Sequence, residues 1–111
     1  MWKCDVCGQD IVRAEDGWVE ALCYQDAATG ELKERGLRLV HAAMASPRGR
    51  AGCQYNQEAE YAKGKATVVD LGLPVYLGRE GLARLRQMLR DGSARKEEVE
   101  AMIKRLHPGA S

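Results

Sequence analysis

Hydrophobic and polar positions along the chain follow two different periods, and the change of period divides it into elements. Trp18 to Tyr24 alternate well enough for a β-strand, and Leu37 to Ala42 offer a second. Between them Asp26-Ala27-Ala28-Thr29-Gly30 is turn chemistry, which predicts an antiparallel hairpin. Gln54 to Lys63 reads as a short polar helix ended by Gly64. Ala66 to Leu71 and Leu73 to Leu77 are rich in Val, Leu and Tyr, and Pro74 marks the second run as an edge strand or an extended connector. From about Arg79 to Arg90 the period becomes helical, with Leu82, Leu85, Met88 and Leu89 on one side. Gly92 suits a helix C′ position and Ser93 the next N-cap. A last helix from Ala94 to Leu106 aligns Val99, Met102, Ile103 and Leu106, and Pro108-Gly109 stops it. The pattern predicts an α+β fold, with a β-hairpin half over residues 1–78 and a helical hairpin over 79–107 packed on it as one cooperative unit. No internal repeat and no low-complexity segment interrupts it.

Composition changes the picture by showing how little the core has to work with. The chain has 111 residues and no Phe, so its aromatic side chains are Trp2, Trp18, Tyr24, Tyr55, Tyr61 and Tyr76. A core this thin calls for a staple. No apolar h-region follows Met1 and no run reaches the length of a membrane span, so a cytoplasmic, reducing setting is expected. In that setting four cysteines point to metal or redox chemistry before a disulfide framework. A net charge of +1 argues neither for nor against nucleic acid, although the first 78 residues lean acidic and the remainder basic.

Cys4-Asp5-Val6-Cys7-Gly8 is the sharpest motif. It has the form of a zinc knuckle, in which two thiolates converge at one turn and the following glycine allows a left-handed backbone. Two further donors must come from Cys23, His41 and Cys53. Alternation puts Cys23 on the same strand face as Val19 and Ala21, the setting of an inert buried cysteine. His41 and Cys53 lie at the two ends of one loop, Ser46-Pro47-Arg48-Gly49-Arg50-Ala51-Gly52, and Cys53 falls near the start of the predicted polar helix. The expected ligand set is therefore Cys4, Cys7, His41 and Cys53, holding one structural Zn²⁺ per chain. A redox dithiol would open a helix after a strand, and no strand is expected ahead of this pair. Four protein donors leave no position for water, so the ion is expected to stabilise the fold without catalysis.

A knuckle, a hairpin and then a helix contributing a ligand near its start resemble a zinc-ribbon or treble-clef module over about residues 1 to 63. Trp2-Lys3-Cys4-Asp5-Val6-Cys7-Gly8 resembles the opening of many small bacterial zinc-ribbon proteins. The frequency of Arg, Ala, Gly and Leu is compatible with a GC-rich genome of a bacterium or its phage. The resemblance implies a platform for nucleic acid or for protein, and fold alone does not choose between them.

Three functions follow as expectations. The first is a regulator or accessory factor contacting nucleic acid through Arg48 and Arg50 of the loop and through Arg84 and Arg95 of the helices. The second is a protein-binding adaptor presenting Leu82, Leu85, Val99 or Ile103 to a partner or to a second copy as a homodimer. The third and weakest rests on His41 with Asn56, an arrangement reminiscent of HNH nucleases; these need an open catalytic metal and a second helix histidine, whereas His107 follows the last helix. No membrane association and no small-molecule substrate are expected.

Overall fold

A three-stranded antiparallel sheet organises the computed structural model, which describes residues 1–50 and 52–110. Strand β3 (Gly17–Gln25) lies between β4 (Leu32–His41) and β5 (Thr67–Gly72). A separate two-residue ladder joins β1 (Trp2–Lys3) to β2 (Asp10–Ile11) and closes the Cys4–Cys7 turn between them. A short strand therefore does precede the paired cysteines, contrary to expectation, but a turn and not a helix follows it. Helix α1 (Gln57–Gly64) precedes β5, and α2 (Gly78–Asp91) and α3 (Lys96–Leu106) complete the chain. The mixed α+β class is as expected. No helix among the described residues is long and apolar enough to cross a membrane.

The hairpin is in place, and β4 is longer than the alternation suggested. It begins at Leu32 instead of Leu37, because a bulge displaces its pattern: Glu20 pairs with Arg38 but Leu22 pairs with Arg35, so two residues of β4 face one of β3. Gly36 supplies the left-handed backbone that this bulge needs, at φ 69°. Both backbone groups that the bulge removes from the ladder find partners elsewhere. The Gly36 N–H donates to the Glu98 carboxylate of α3 at 3.0 Å, and its carbonyl accepts from the Tyr55 hydroxyl at 2.8 Å. One irregularity thus ties the sheet both to the loop before α1 and to the last helix.

Three later elements are corrected. Helix α1 starts at Gln57 because the Asn56 side chain accepts the Ala59 N–H at 2.9 Å, which makes Asn56 the N-cap and leaves Cys53 in the loop ahead of the helix, away from its dipole. Lys65, not Gly64, takes the left-handed position that ends it. Leu73 to Tyr76 form a single 3₁₀ turn in place of an edge strand; Pro74 fits the first turn, where its missing N–H costs nothing. Ser93 does not cap α3, which begins at Lys96; its carbonyl instead accepts the Glu34 N–H at 2.7 Å and anchors the α2–α3 connection to the β4 edge. Gly92 ends α2 as expected, at φ 67°.

One hydrophobic cluster runs through the whole molecule, from Cys4, Ile11, Leu39 and Cys53 to Leu73, Leu85, Val99 and Met102. The two parts distinguished in the sequence therefore share a core. Helix α2 meets the 3₁₀ turn so closely at Gly81 that a Cβ there would collide with the backbone carbonyl of Tyr76. Backbone cannot swing aside as a side chain would. Gly81→Ala is accordingly expected to cost about 1–3 kcal/mol, read as a lower urea midpoint with unchanged slope.

Candidate metal centre

The β1–β2 ladder, the end of β4 and the loop before α1 deliver four side chains to one point. Sγ of Cys4, Cys7 and Cys53 and a ring nitrogen of His41 all lie within 4.8 Å of one another. His41 Nδ1 is 3.4 Å from Cys7 Sγ and 3.9 Å from Cys53 Sγ. Donors of these types around one tetrahedral ion stand about 3.5–3.8 Å apart, so the spacing fits a single metal. Cys23 is not in the group. It lies mid-strand on β3, half-buried, between Glu34 of β4 and Thr67 of β5.

Local bonds pre-set each donor. The knuckle turn closes through the Gly8 N–H to the Cys4 carbonyl at 3.0 Å, with Gly8 left-handed at φ 76°. His41 Nε2 sits 2.9 Å from the Asp10 carbonyl, a pure acceptor, so Nε2 carries the proton and Nδ1 faces the three sulfurs as a lone-pair donor. The Ser46 hydroxyl lies 3.0 Å from Cys53 Sγ, and the Gln54 amide donates to the His41 carbonyl, so both ends of the intervening loop are fixed beside the donors.

Thiol electrostatics follow from this crowding. Burial alone would raise the Cys4 thiol, but N–H groups of Cys7 and Val6 and contacts with His41 outweigh it and hold it down to about 6. The Cys53 thiol is pushed up by burial, with the nearness of Cys4 and Cys7 adding to the effect against the Ser46 hydroxyl. Such a group accepts one negative charge readily and resists the next, which is the condition a bound cation relieves.

Several supporting residues carry no motif. Asp5, between the paired cysteines, accepts the Leu39 N–H at 2.8 Å while its own N–H donates to the Leu39 carbonyl at 2.8 Å, which docks the knuckle on β4. Arg105 of α3 spans the same carboxylate at 2.8 and 2.9 Å and also donates to the Lys3 carbonyl. A polar residue inside the knuckle was the only visible signal for this contact; backbone partners such as Asp10 and Leu39 leave none. Both side chains of the pair are about one-third exposed, at 35% and 33%, so the link is worth about 1 kcal/mol. Arg105→Ala is expected to lower stability by that amount and Arg105→Lys to recover only part of it, since one ammonium replaces the two guanidinium nitrogens that serve the Asp5 carboxylate and the Lys3 carbonyl separately; thermal melts of the two variants decide this.

On the opposite side of the loop, Glu20 is fully buried and holds Arg38 at 2.6 Å, while both its oxygens accept the Tyr55 N–H at 3.2 Å. Arg38 lies over the Tyr55 ring, 3.6 Å from its centre, and reaches the Cys53 carbonyl at 3.4 Å. Burial raises the Glu20 carboxyl above its usual range despite the lowering pull of Arg38. This charge network was not anticipated, because Glu20 occupies what alternation marks as an ordinary polar position.

The remaining predicted contact residues do not converge. Arg48 and Arg50 are exposed on the loop between the His41 and Cys53 donors. Arg84 lines a separate cleft between the sheet and α2, and Arg95 is the residue immediately before α3. Leu85 and Val99 are fully buried within the chain, so half of the stripe assigned to a partner is already covered. Asn56 caps α1, and His107 Nε2 bonds the Tyr76 carbonyl at 2.7 Å; neither joins the four-donor group. No protein-family model, curated protein or solved structure matches the chain.

Proposed function

We propose that the four donors bind one Zn²⁺ as a structural ion and that the loop they clamp contacts single-stranded nucleic acid, making the protein a regulatory or accessory factor. Three thiolates and one imidazole favour zinc over the hard divalent cations, and a set of four leaves no open position for catalysis. The observation that carries the contact surface is the loop itself. It runs from His41 to Cys53, and the Ser46 hydroxyl beside Cys53 Sγ also accepts the Arg48 N–H at 3.2 Å, so the cationic segment is wired to the metal centre.

Arg50 shares a surface cleft with Trp18 and Met44. Arg13 is there too, but Asp16 holds it at 3.2 Å, which leaves Arg48 and Arg50 as the cations for phosphate. An indole beside Arg50, with Arg48 exposed on the same loop, suits base stacking with backbone contact, the sequence-tolerant mode of single-strand binders. Fluorescence anisotropy with labelled single-stranded oligonucleotides tests the reading. Binding is expected to weaken with salt at a log–log slope of about −1.4 for two phosphates neutralised. The Arg48→Ala/Arg50→Ala double variant should lose that slope while keeping its zinc. Affinity indifferent both to salt and to the double variant would contradict the proposal.

A further inference from the structure

We infer that the cleft between the sheet and α2 binds a small zwitterion with an apolar body, of the class of the aliphatic and aromatic α-amino acids. The site is independent of the metal centre and of the clamped loop. Helix α2 stands off the β3–β5 side of the sheet and leaves a cleft of about 330 Å³. Val19, Val69 and Met88 supply apolar lining. Three polar residues line it from different elements: Glu34 of β4, Tyr76 of the 3₁₀ turn and Arg84 of α2, while Glu20, which also lines it, is already held by Arg38.

None of the three is engaged as such groups are elsewhere in this molecule. Glu20 holds Arg38 and Asp26 holds Lys33, yet among the described residues no ion pair or side-chain hydrogen bond involves the Glu34 carboxyl, the Tyr76 hydroxyl or the Arg84 guanidinium. Arg84 meets only the Tyr76 ring, 6.0 Å from its centre. Glu34 and Arg84 thus present opposite charges to the same space without neutralising each other. Burial raises both the Glu34 carboxyl and the Tyr76 hydroxyl, yet among the described residues no buried side-chain polar atom is left without a partner, so both groups keep contact with solvent.

A ligand that satisfies all three carries an ammonium for Glu34, a carboxylate for Arg84 and Tyr76, and a hydrocarbon part for the floor. The volume lies at the small end of ligand sites, which suits one amino acid and not an extended peptide. Exposed Asp70 also lines the cleft and reinforces the preference for a cationic group on that side.

The test is an amide-resolved NMR titration of the zinc-loaded full chain with L-leucine and L-tryptophan. Two controls each delete one charge: L-leucinamide lacks the carboxylate, and 4-methylpentanoate lacks the ammonium. Saturable shifts are expected at Glu34, Val69 and Arg84 in the low-millimolar range or below, with each control at least about tenfold weaker, one unit of 1.4 kcal/mol. Glu34→Gln and Arg84→Gln should each weaken leucine by a similar factor while their unfolding transitions stay at the parent position, which separates loss of the site from loss of the fold. Shifts absent across the titration, shifts mapping to another surface, or a control equal to leucine would each overturn the inference.

Discussion

Cys53→Ala is expected to abolish zinc binding at stoichiometric concentrations and to unfold the segment from Trp2 to the start of α1. Three donors would remain, but the loss is larger than one bond. Cys53 is fully buried, and its loop is held by Ser46 to Sγ, Gln54 to the His41 carbonyl and Arg38 to its own carbonyl. Structural zinc sites contribute roughly 10–16 kcal/mol of apparent binding energy, whereas a small domain holds only about 5–15 kcal/mol of net stability. A loss of half the former, about 5–8 kcal/mol, is comparable to the lower half of the latter. Chelator competition should therefore show affinity falling by orders of magnitude, and the amide spectrum of residues 1–50 should lose its dispersion. Cys23→Ser is the matched control: it removes a half-buried thiol outside the donor group and should retain one zinc per chain. If the two variants behaved alike, the ligand assignment would be wrong.

The second large effect is expected at Arg38. Its guanidinium is the counter-charge of a carboxylate that has no exposed surface, and removal leaves that charge buried with only the Tyr55 N–H as partner. Breaking a buried pair from one side costs about 3–5 kcal/mol, and the 25% exposure of the Arg38 side chain places this case near the lower end. Arg38→Ala should show a urea midpoint lowered accordingly. Adding Glu20→Gln to that variant should restore part of the loss, since a neutral amide is cheaper to bury than an unpaired carboxylate. Because Arg38 also reaches the Cys53 carbonyl, the single variant should release zinc to a chelator faster than the parent. A midpoint within about 0.5 kcal/mol of the parent, the range of ordinary surface changes, would show the pair to be incidental.

What could be read from the sequence had short-range causes. The hairpin was legible because its strands alternate and its turn is made of turn residues, and α2 and α3 because four apolar positions repeat on one face of each. The four donors were legible for a different reason. Cys4-Asp5-Val6-Cys7 announces two of them, and the number of remaining Cys and His residues is so small that His41 and Cys53 follow from their place at the ends of one loop.

The misreadings share a long-range cause. The first half of β4 was missed because Lys33, Glu34 and Arg35 show no apolar alternation, and Gly36 shifts the register within the strand. A bulge of this kind is sustained by Tyr55 and Glu98, residues distant in sequence. Cys53 was placed at a helix start because Gln54 and Tyr55 are neutral toward helix; Asn56 wins as the cap because its side chain can accept the Ala59 N–H. Ser93 has the right chemistry for a cap, but the edge of β4 competes for its backbone and takes it. Glu20 and Arg38 could not be found at all, since each alone reads as a solvated charge and only the pairing of β3 with β4 brings them together.

The central claim is that Cys4, Cys7, His41 and Cys53 close around a single zinc ion, and X-ray absorption at the zinc edge on protein purified without added metal addresses it most directly. One zinc per chain is expected, with three sulfur neighbours at about 2.3 Å and one nitrogen at about 2.0 Å. A folded, metal-free chain with four reactive thiols, or a shell dominated by oxygen, would contradict the account.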